Sequence, residues 1–475
     1  MTKPTPMSSQ DALWLTMDRP NNLMVVDTVL VLSRAPELDA VRGVMQQAVD
    51  RFPVFRRRAL RDGIGWAWQD DLGFDICRHV SSVSLTGERD MAALQRFVAE
   101  HRALPLDKDR PLWQTFLVHP LRLDDGTDGA AVVARFHHAI ADGIRLTQVM
   151  ISLMGEAPAP SVVVASGAAT STDKTGAAGT MVRAGLDLVR WGTHGLAEGI
   201  GLLRHPTRLL DALDVFGSGH RAVNDFSSVA KLAFGGSPRT VWTGSPGTAK
   251  AIAWSRPLPL QDIKAIGRAA GATVNDVMLA AVAGGLRRYL LVHGGEADQV
   301  LWMVPVNLKP FADNLPAELG NYFALAFLPM PLGSDDPVTT LQRVRHEMDR
   351  IKHSDETVLT FGLQRLVSRT PGHLAFLVTN FFANKAVGVL TNVPGPRLPM
   401  TFAGAPVVQA VGFAPCSGDN PMTATIFSYN GAVTVGFGTD AGLVPDPGLL
   451  VDLVVDQLRS MQVALDSPRT GTWPD

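Results

Sequence analysis

The sequence predicts a mixed α/β (α+β) protein with two lobes, and three observations support this fold class. The chain has 475 residues, which is too long for one ordinary core and favours two domains of similar size with a cleft between them. Apolar runs of strand length alternate with segments of helical period along most of the chain. Residues 157–179 are rich in Ala, Ser, Thr, Pro and Gly and show no period, which is typical of a linker.

Residues 1–156 are predicted to form the first lobe. Ser9 is a candidate N-cap for a short helix that carries Trp14, and an acidic, Gly-containing turn at 124–129 predicts a hairpin. The apolar patterns predict strands at 23–32, 66–69, 76–83, 113–118 and 130–136, and helices at 38–52, at 91–98 and from Gly143 onward.

Residues 246–475 are predicted to form the second lobe. Strands are expected near Ala251 and at 301–306, 323–328, 387–390, 407–411 and 424–436, the last interrupted by an Asn430-Gly431 hairpin turn. Helices are expected at 260–270, 274–291, 338–351, 359–367 and 447–461.

Residues 157–245, between the lobes, are predicted to be a flexible linker followed by an amphipathic helical connector. The segment 181–203 carries a polar stripe and an apolar stripe at helical spacing. A helix packed across the two lobes is the favoured interpretation. Contact with a membrane or lipid-droplet surface is the alternative.

Composition limits the partners and the compartment. The chain has 43 basic and 45 acidic residues, a net charge of -2, which argues against nucleic acid as a partner. Its two cysteines, Cys77 and Cys416, lie far apart, so neither a disulfide framework nor a zinc site is expected, and a reducing cytoplasm fits. The N-terminus lacks the pattern of a signal peptide and no run of 18 apolar residues occurs, so the chain is expected to be cytoplasmic, soluble or peripheral on a membrane.

The predicted strand at 130–136 delivers two adjacent histidines, His137 and His138, and Asp142 and Gly143 follow. Neighbouring side chains on a strand point to opposite faces, so the two histidines are not expected to share one substrate or one metal. One is therefore predicted to be reactive and the other structural. Asp142 is also interpreted as structural, either paired with an arginine or as the N-cap of the next helix, because an adjacent glycine suits a tight turn.

A histidine at a strand end between two lobes can take a proton from a hydroxyl or amine and return it to a leaving group, as acyl transfer requires. If the acyl donor is a thioester, the leaving thiol has a pKa of about 8.5, so one base and one oxyanion donor suffice without a metal or cofactor. Thr391 and Asn392 follow a strand and are candidates for that donor. Asn275 and Asp276 begin the long helix, where a capping box with Thr273 is as well supported as catalysis.

With these motifs in view, the chain resembles the bacterial wax ester synthase/acyl-CoA:diacylglycerol acyltransferases, in the superfamily of chloramphenicol acetyltransferase and the condensation domains of peptide synthetases. The resemblance spans nearly the whole chain. It rests on motifs in a specific order, namely Pro111-Leu112-Trp113, HHxxxDG from His137 to Gly143, Asn275-Asp276, Pro305-Val306-Asn307, Leu319-Gly320-Asn321, Thr391 to Pro396 and Ser428 to Gly431.

The resemblance implies two chloramphenicol-acetyltransferase-like lobes with a central tunnel, which acyl-CoA enters from one side and the alcohol from the other. It implies that His138 is the general base for direct attack of the acceptor hydroxyl on the thioester, without a covalent acyl-enzyme. His137, Asp142 and Gly143 would support the site. The resemblance also implies a supporting or cleft-lining role for the remaining motif positions: Asn275, Asp276, Thr391 and Asn392.

The activity implied by the resemblance is transfer of a long-chain fatty acyl group from acyl-CoA to diacylglycerol or a fatty alcohol, giving triacylglycerol or wax ester. Two alternatives stay open: acyl transfer to another small alcohol or amine, and a non-catalytic lipid-binding protein of the same fold. Some positions depart from the common family pattern and bear on the choice of acceptor. Asn307 stands in place of Ser, Tyr322 in place of Arg, and Asp27 in place of Gly.

Overall fold

The structure, a computed structural model, describes residues 3–63, 65–156, 238–307, 315–321, 323–352, 383–416 and 418–466. Two seven-stranded sheets and a three-stranded sheet account for its strands. The large sheet that contains the strands at 25–32 and 128–137, with the helices packed on it, is called the first sheet and the first lobe. The large sheet that contains the strands at 422–429 and 432–440, with its helices, is called the second sheet and the second lobe. The predictions for the linker 157–179, the segment 181–203 and the helix 359–367 fall outside the described residues, and the predicted boundaries of the lobes stay predictions.

The elements lie in chain order as follows. Up to residue 156 they are β1 (Thr5–Pro6), α1 (Ser9–Met17), β2 (Val25–Leu32), α2 (Leu38–Arg51), a 3-10 helix (Pro53–Arg56), β3 (Arg57–Asp62), β4 (Gly65–Asp70), a second 3-10 helix (Ile76–Arg78), β5 (Val80–Val83), α3 (Met91–Arg102), β6 (Trp113–Arg122), β7 (Asp128–His137), α4 (Gly143–Ser152) and β8 (Gly155–Glu156).

Beyond residue 238 the described elements are β9 (Lys250–Trp254), β10 (Leu258–Pro259), α5 (Leu260–Ala270), α6 (Val274–Val292), β11 (Gln299–Asn307), β12 (Phe323–Pro331), α7 (Pro337–Lys352), β13 (Gly388–Pro394), β14 (Met400–Phe402), β15 (Ala405–Phe413), β16 (Met422–Tyr429), β17 (Ala432–Asp440) and α8 (Pro447–Ala464).

The first large sheet has the strand order β5, β6, β7, β2, β15, β14, β8. β6 and β7 pair antiparallel, which confirms the hairpin predicted from the acidic turn. β2 pairs antiparallel with β7, and this register sets Val25 opposite His137 and Asp27 opposite Arg135. β15 and β14 come from much later in the chain and complete the sheet beyond β2. Position along the chain therefore does not decide to which sheet a strand belongs.

The second large sheet has the order β10, β17, β16, β13, β11, β12, with β9 also paired to β17. β16 and β17 form a hairpin whose two central residues, Asn430 and Gly431, have φ of 45° and 77°. Positive φ at both residues is the geometry of the two-residue turn that Asn-Gly favours, so the predicted turn is confirmed.

Helix α6 runs through the core of the second lobe, and residues 276–286 are all buried. A helix that is apolar on all sides is expected in such a position. Gly284 and Gly285 face α8, where an added Cβ would overlap the side chains of Gln457 and Val454. The two glycines therefore let the helices approach closely.

Two predictions about local structure are wrong. Residues 76–83 are not one strand, because the Asp75 side chain caps a short 3-10 helix and leaves only the four residues of β5 extended. Helix α1 is capped by Ser8 rather than Ser9, since Ser8 Oγ accepts the backbone N–H of Asp11 at 3.0 Å. Both differences concern short polar side chains that bind nearby backbone, a choice that apolar period does not resolve.

Within the described residues, no single helix is long and apolar enough to cross a membrane, although α5 and α6, bent by 95° at their junction, meet the length and composition criteria as a pair.

Asp27, one of the positions at which the chain differs from the family that its sequence resembles, lies in a buried ion network. Its carboxylate pairs with Arg102 of α3, and its Oδ1 lies 3.4 Å from Arg135 Nε on β7. Asp27 and Arg135 are each 1% exposed. Burial lowers the pKa of Arg135, and the charge of Asp27 opposes that shift. The departure is thus compensated by two arginines inside the first lobe.

Replacing Asp27 with Ala leaves two buried guanidinium groups without their carboxylate, so Asp27→Ala is expected to lower the free energy of unfolding by about 3–5 kcal/mol. Asp39→Ala is the matched control, because Asp39 pairs with Arg42 at 2.9 Å while its side chain is 89% exposed, and its loss is expected to cost less than about 1 kcal/mol. Urea denaturation of both variants measures the difference. Equal effects would contradict a stabilising role for the buried network.

Candidate active site

The two histidines lie at the junction between β7 and α4. β7 ends at His137, and α4 begins at Gly143. The backbone N–H of His138 donates to the carbonyl oxygen of Met24 at 2.7 Å, which fixes the chain just past the strand end. His138 is 7% exposed and His137 is 1% exposed. This stretch, residues 137–143, is called the histidine turn below.

Asn321 orients the imidazole of His138. Its Nδ2 donates to Asp11 Oδ1 at 2.7 Å and to the carbonyl oxygen of His138 at 3.0 Å, so its Oδ1 faces His138 Nδ1 at 2.9 Å. An amide oxygen only accepts hydrogen bonds, so Nδ1 of His138 carries the proton and donates. In the neutral ring the basic lone pair therefore lies on Nε2.

The surroundings of His138 keep its ring neutral. Trp14 of α1 stacks on the imidazole, with ring centroids 4.0 Å apart and 29° between the planes. Burial lowers the pKa of His138 to about 4, although the hydrogen bonds to its own backbone and to Asn321 act to raise it. At neutral pH the ring is consequently an unprotonated base.

Asp11 is the far end of this hydrogen-bonded chain. Burial raises the pKa of Asp11, the hydrogen bonds from Asn321 and Ser8 lower it, and the nearby charge of Asp142 raises it. The carboxyl group lies on α1, so the helix that supplies Trp14 also anchors the amide of Asn321.

His137 has different partners. Its Nδ1 accepts the backbone N–H of Ala139 at 3.1 Å, and its Nε2 lies 3.8 Å from Asp18 Oδ2. Lys108 Nζ lies 2.9 Å from the same carboxylate oxygen. Burial acts to raise the pKa of Asp18, but its proximity to His137 and its bonds with Lys108 and the Met24 backbone N–H bring it down to about 2. His137 is thus packed at the end of β7 beside the ion pair of Asp18 and the partly exposed Lys108.

Asp142 and Gly143 begin helix α4. The Asp142 carboxylate accepts the backbone N–H of Arg145 at 2.8 Å, the N-cap geometry that was one of its two predicted roles. A Cβ added at Gly143 would meet none of the described residues within 4 Å, so among these residues open space lies beside the start of the helix. Ala141 forms a parallel bridge with Gly320, which ties the histidine turn to the segment that carries Asn321.

The predicted positions of the second lobe form a separate group. Asp276 and Thr273 form a complete capping box, with Asp276 Oδ2 accepting from the Thr273 backbone N–H at 2.9 Å. Asn275 Oδ1 accepts from Asn392 Nδ2 at 2.7 Å, so these two positions meet directly. Thr391 Oγ1 donates to the carbonyl oxygen of Ala424 at 3.4 Å.

Three residues that contact the His138 ring or its partner were not predicted from the sequence to belong to the site: Asn321, Trp14 and Asp11. Asn321 occurs in the quoted Leu319-Gly320-Asn321 motif, and that motif is the one signal that could have suggested it. The hydrogen bond from His138 to Asn321 spans 183 residues of chain, so no local pattern predicts it. Within the described residues, no group of three or more His, Cys, Asp or Glu side chains is placed to hold a metal ion.

The ring of His138 is expected to stay neutral down to about pH 5 in the folded chain, because its pKa lies near 4, whereas in the urea-unfolded chain it should titrate near pH 6.5. The neutral ring therefore stabilises the fold fully above about pH 6.5, and this contribution declines as pH falls through 6.5 towards 4. NMR of ring-labelled histidine, assigned with His138→Gln, measures both titrations. A folded-state midpoint at or above 6 would contradict the effect of burial.

The chain is similar to known proteins over most of its length. Residues 7–278 match the profile of the wax ester synthase/diacylglycerol acyltransferase catalytic domain, and residues 319–462 match that of the WS/DGAT C-terminal domain. A putative diacylglycerol O-acyltransferase of Mycobacterium tuberculosis (strain CDC 1551) is 27% identical, over 98% of this chain and 92% of its own. A probable diacylglycerol O-acyltransferase of strain H37Rv is 26% identical, over 85% of this chain and 83% of its own.

Solved structures share the fold. The wax ester synthase/diacylglycerol acyltransferase from Marinobacter aquaeolei VT8 superimposes with a TM-score of 0.66 at 19% identity, over 97% of this chain and 100% of that one. The first condensation domain of the CDA synthetase gives a TM-score of 0.57 at 15% identity and covers 100% of both chains. These likenesses confirm the predicted fold class, a mixed α/β chain with two chloramphenicol-acetyltransferase-like lobes.

Proposed function

Because the chain belongs to the wax ester synthase/diacylglycerol acyltransferase family and is thus an acyl-CoA-dependent O-acyltransferase, we propose that it transfers a long-chain fatty acyl group to diacylglycerol or a fatty alcohol. The products are triacylglycerol or wax ester and free coenzyme A. One observation carries the proposal: the neutral imidazole of His138, whose Nδ1 proton is held by Asn321 and whose Nε2 is the basic atom.

In the proposed mechanism His138 Nε2 takes the proton of the acceptor hydroxyl as the acceptor oxygen attacks the thioester carbonyl carbon. The new C–O bond forms, and the carbonyl electron pair moves to its oxygen. The C–S bond then breaks, the carbonyl re-forms, and the coenzyme A sulfur takes the proton from the imidazolium. Asn321 keeps the ring in one tautomer and one orientation throughout, as the carboxylate does for histidine in a Ser-His-Asp triad.

Acyl-CoA as the acyl donor is supported by the family and by a structural neighbour, a starter condensation domain of rhizomide synthetase solved with C8-CoA, with a TM-score of 0.53. In this chain the thioester carbonyl would lie within reach of His138, on the side of the open space beside Gly143. His137 and Asp142 would support the histidine turn, through the Asp18 cluster and the α4 cap respectively.

The activity is tested by thiol release from palmitoyl-CoA with a panel of hexadecanol, diolein, short alcohols and amines, and product identity is read by mass spectrometry. His138→Ala is expected to lower kcat about 10²–10⁴-fold, the usual contribution of a general base. His79→Ala is the matched control, because His79 is also buried and stacked, with its ring centroid 4.6 Å from that of Trp113. Full turnover in folded His138→Ala would exclude the mechanism, and activity on short alcohols or amines alone would exclude the lipid acceptors.

Asn321→Ala removes the acceptor that fixes the Nδ1 proton, so kcat should fall about 10²–10⁴-fold while KM for palmitoyl-CoA changes little. Asn420→Ala is the control for a buried amide, since Asn420 Nδ2 donates to the carbonyl oxygens of Ala383 and Ala386 at 3.0 and 2.6 Å. It should reduce stability without this selective effect on kcat. Parallel losses of kcat in both variants would point to general destabilisation instead of positioning.

A further inference from the structure

Thr425 in the middle of β16 has a hydroxyl without a partner. It is 1% exposed, and its Oγ1 has no hydrogen-bond partner among the described residues. Its neighbour on the same face, Thr423, donates to the carbonyl oxygen of Val389 at 3.0 Å. A buried hydroxyl left unsatisfied destabilises the folded state, and such groups in folded proteins call for an explanation.

The side chain of Thr425 faces the first lobe. Its partner directly across the β16/β17 pair is Gly436, and a Cβ added there would lie 3.1 Å from the Phe413 ring of β15 in the first sheet. Side chains two residues apart on a strand share a face, and Phe427 belongs to the same apolar cluster as Ala139 and Ile140, which directly follow His138. Thr425 therefore lies on the face of the second sheet that packs against the first lobe, two residues from a side chain in the cluster that contains Ala139 and Ile140.

The two residues predicted from the sequence as oxyanion donors, Thr391 and Asn392, each donate a hydrogen bond within the protein. Asn392 lies on the opposite face of β13 from Thr391 and donates to Asn275. Thr391 lies beside Thr425 in the parallel pairing of β13 and β16, and its hydroxyl donates to the carbonyl oxygen of Ala424. Of Thr391, Thr423 and Thr425, which share this face, Thr425 alone has no acceptor for its proton among the described residues.

We propose that Thr425 Oγ1 donates a hydrogen bond to the carbonyl oxygen of the acyl thioester and stabilises the oxyanion that forms there. The inference rests on the acyl transfer proposed above. When the acceptor oxygen bonds to the carbonyl carbon, the C=O electron pair moves to the oxygen that Thr425 binds, and it returns when the C–S bond breaks. The thiolate takes the proton held by His138, whereas the proton of Thr425 stays on its own oxygen. In a site closed to water, where the dielectric constant is low, such a hydrogen bond stabilises the oxyanion more than it would in water.

The test compares Thr425→Val with Thr425→Ser and with the control Thr423→Val. Thr425→Val should lower kcat about 10²–10³-fold, with KM for palmitoyl-CoA within about threefold. Its Tm should stay equal or rise, because no internal hydrogen bond is lost. Thr425→Ser should keep kcat within about tenfold of the wild type. Thr423→Val should behave in the opposite way, with a lower Tm and nearly unchanged kcat. Unchanged kcat in Thr425→Val, or a loss of kcat that follows a loss of Tm, would overturn the proposal.

A second measurement does not depend on the acceptor. The infrared stretch of the carbonyl in bound [1-13C]palmitoyl-CoA should shift to lower wavenumber in the wild type and in Thr425→Ser, and this shift should vanish in Thr425→Val. If the carbonyl stretch shifts as expected but no acceptor is acylated, the proposed function fails, and only the hydrogen bond from Thr425 to the thioester carbonyl is supported. If acceptors are acylated and neither kcat nor the stretch depends on Thr425, this inference fails and the function stands. Absence of palmitoyl-CoA binding overturns both.

Discussion

The amide of Asn321 joins three distant parts of the chain, and the geometry of the candidate site depends on it. It binds Asp11 on α1, the carbonyl oxygen of His138 and the ring of the same histidine. All of these groups are buried, so each bond left unmade would cost about 1–3 kcal/mol. The orientation of the amide therefore sets the tautomer of His138, and the anchored helix α1 places Trp14 on the imidazole.

Burial has opposite consequences for the groups around the histidine turn. It keeps His138 neutral and therefore basic at physiological pH. The groups that stay charged nearby are paired, as Asp18 is with Lys108 and Asp27 with two arginines. The charged side chains in this region thus have partners of opposite charge, whereas His138, the proposed base, is uncharged. The same low dielectric would strengthen a hydrogen bond from Thr425 to a developing oxyanion.

Much of the fold could be predicted because its signals are local. The β6/β7 hairpin, helices α5 and α6, and the Asn430-Gly431 turn follow from patterns within a few residues of each other. The short segment 76–83 was mispredicted since Asp75 binds nearby backbone, and alternation of apolar residues does not record such a bond. The place of β15 in the first sheet was not predictable either, because strand pairing between distant segments leaves no mark on either strand alone.

By itself, the sequence determined the order of most described elements and the position of the two histidines at a strand end, since each depends on residues adjacent in the chain. It left Asp142 with two possible roles, an N-cap or a partner of an arginine. The tertiary structure decided which partner each histidine has. It brought Asn321 to His138 across 183 residues and left Thr425, rather than Thr391 or Asn392, with an unused hydroxyl between the lobes. The physical reason is that hydrogen-bond satisfaction is a property of the packed interior, where every buried donor competes for acceptors that come from all parts of the chain.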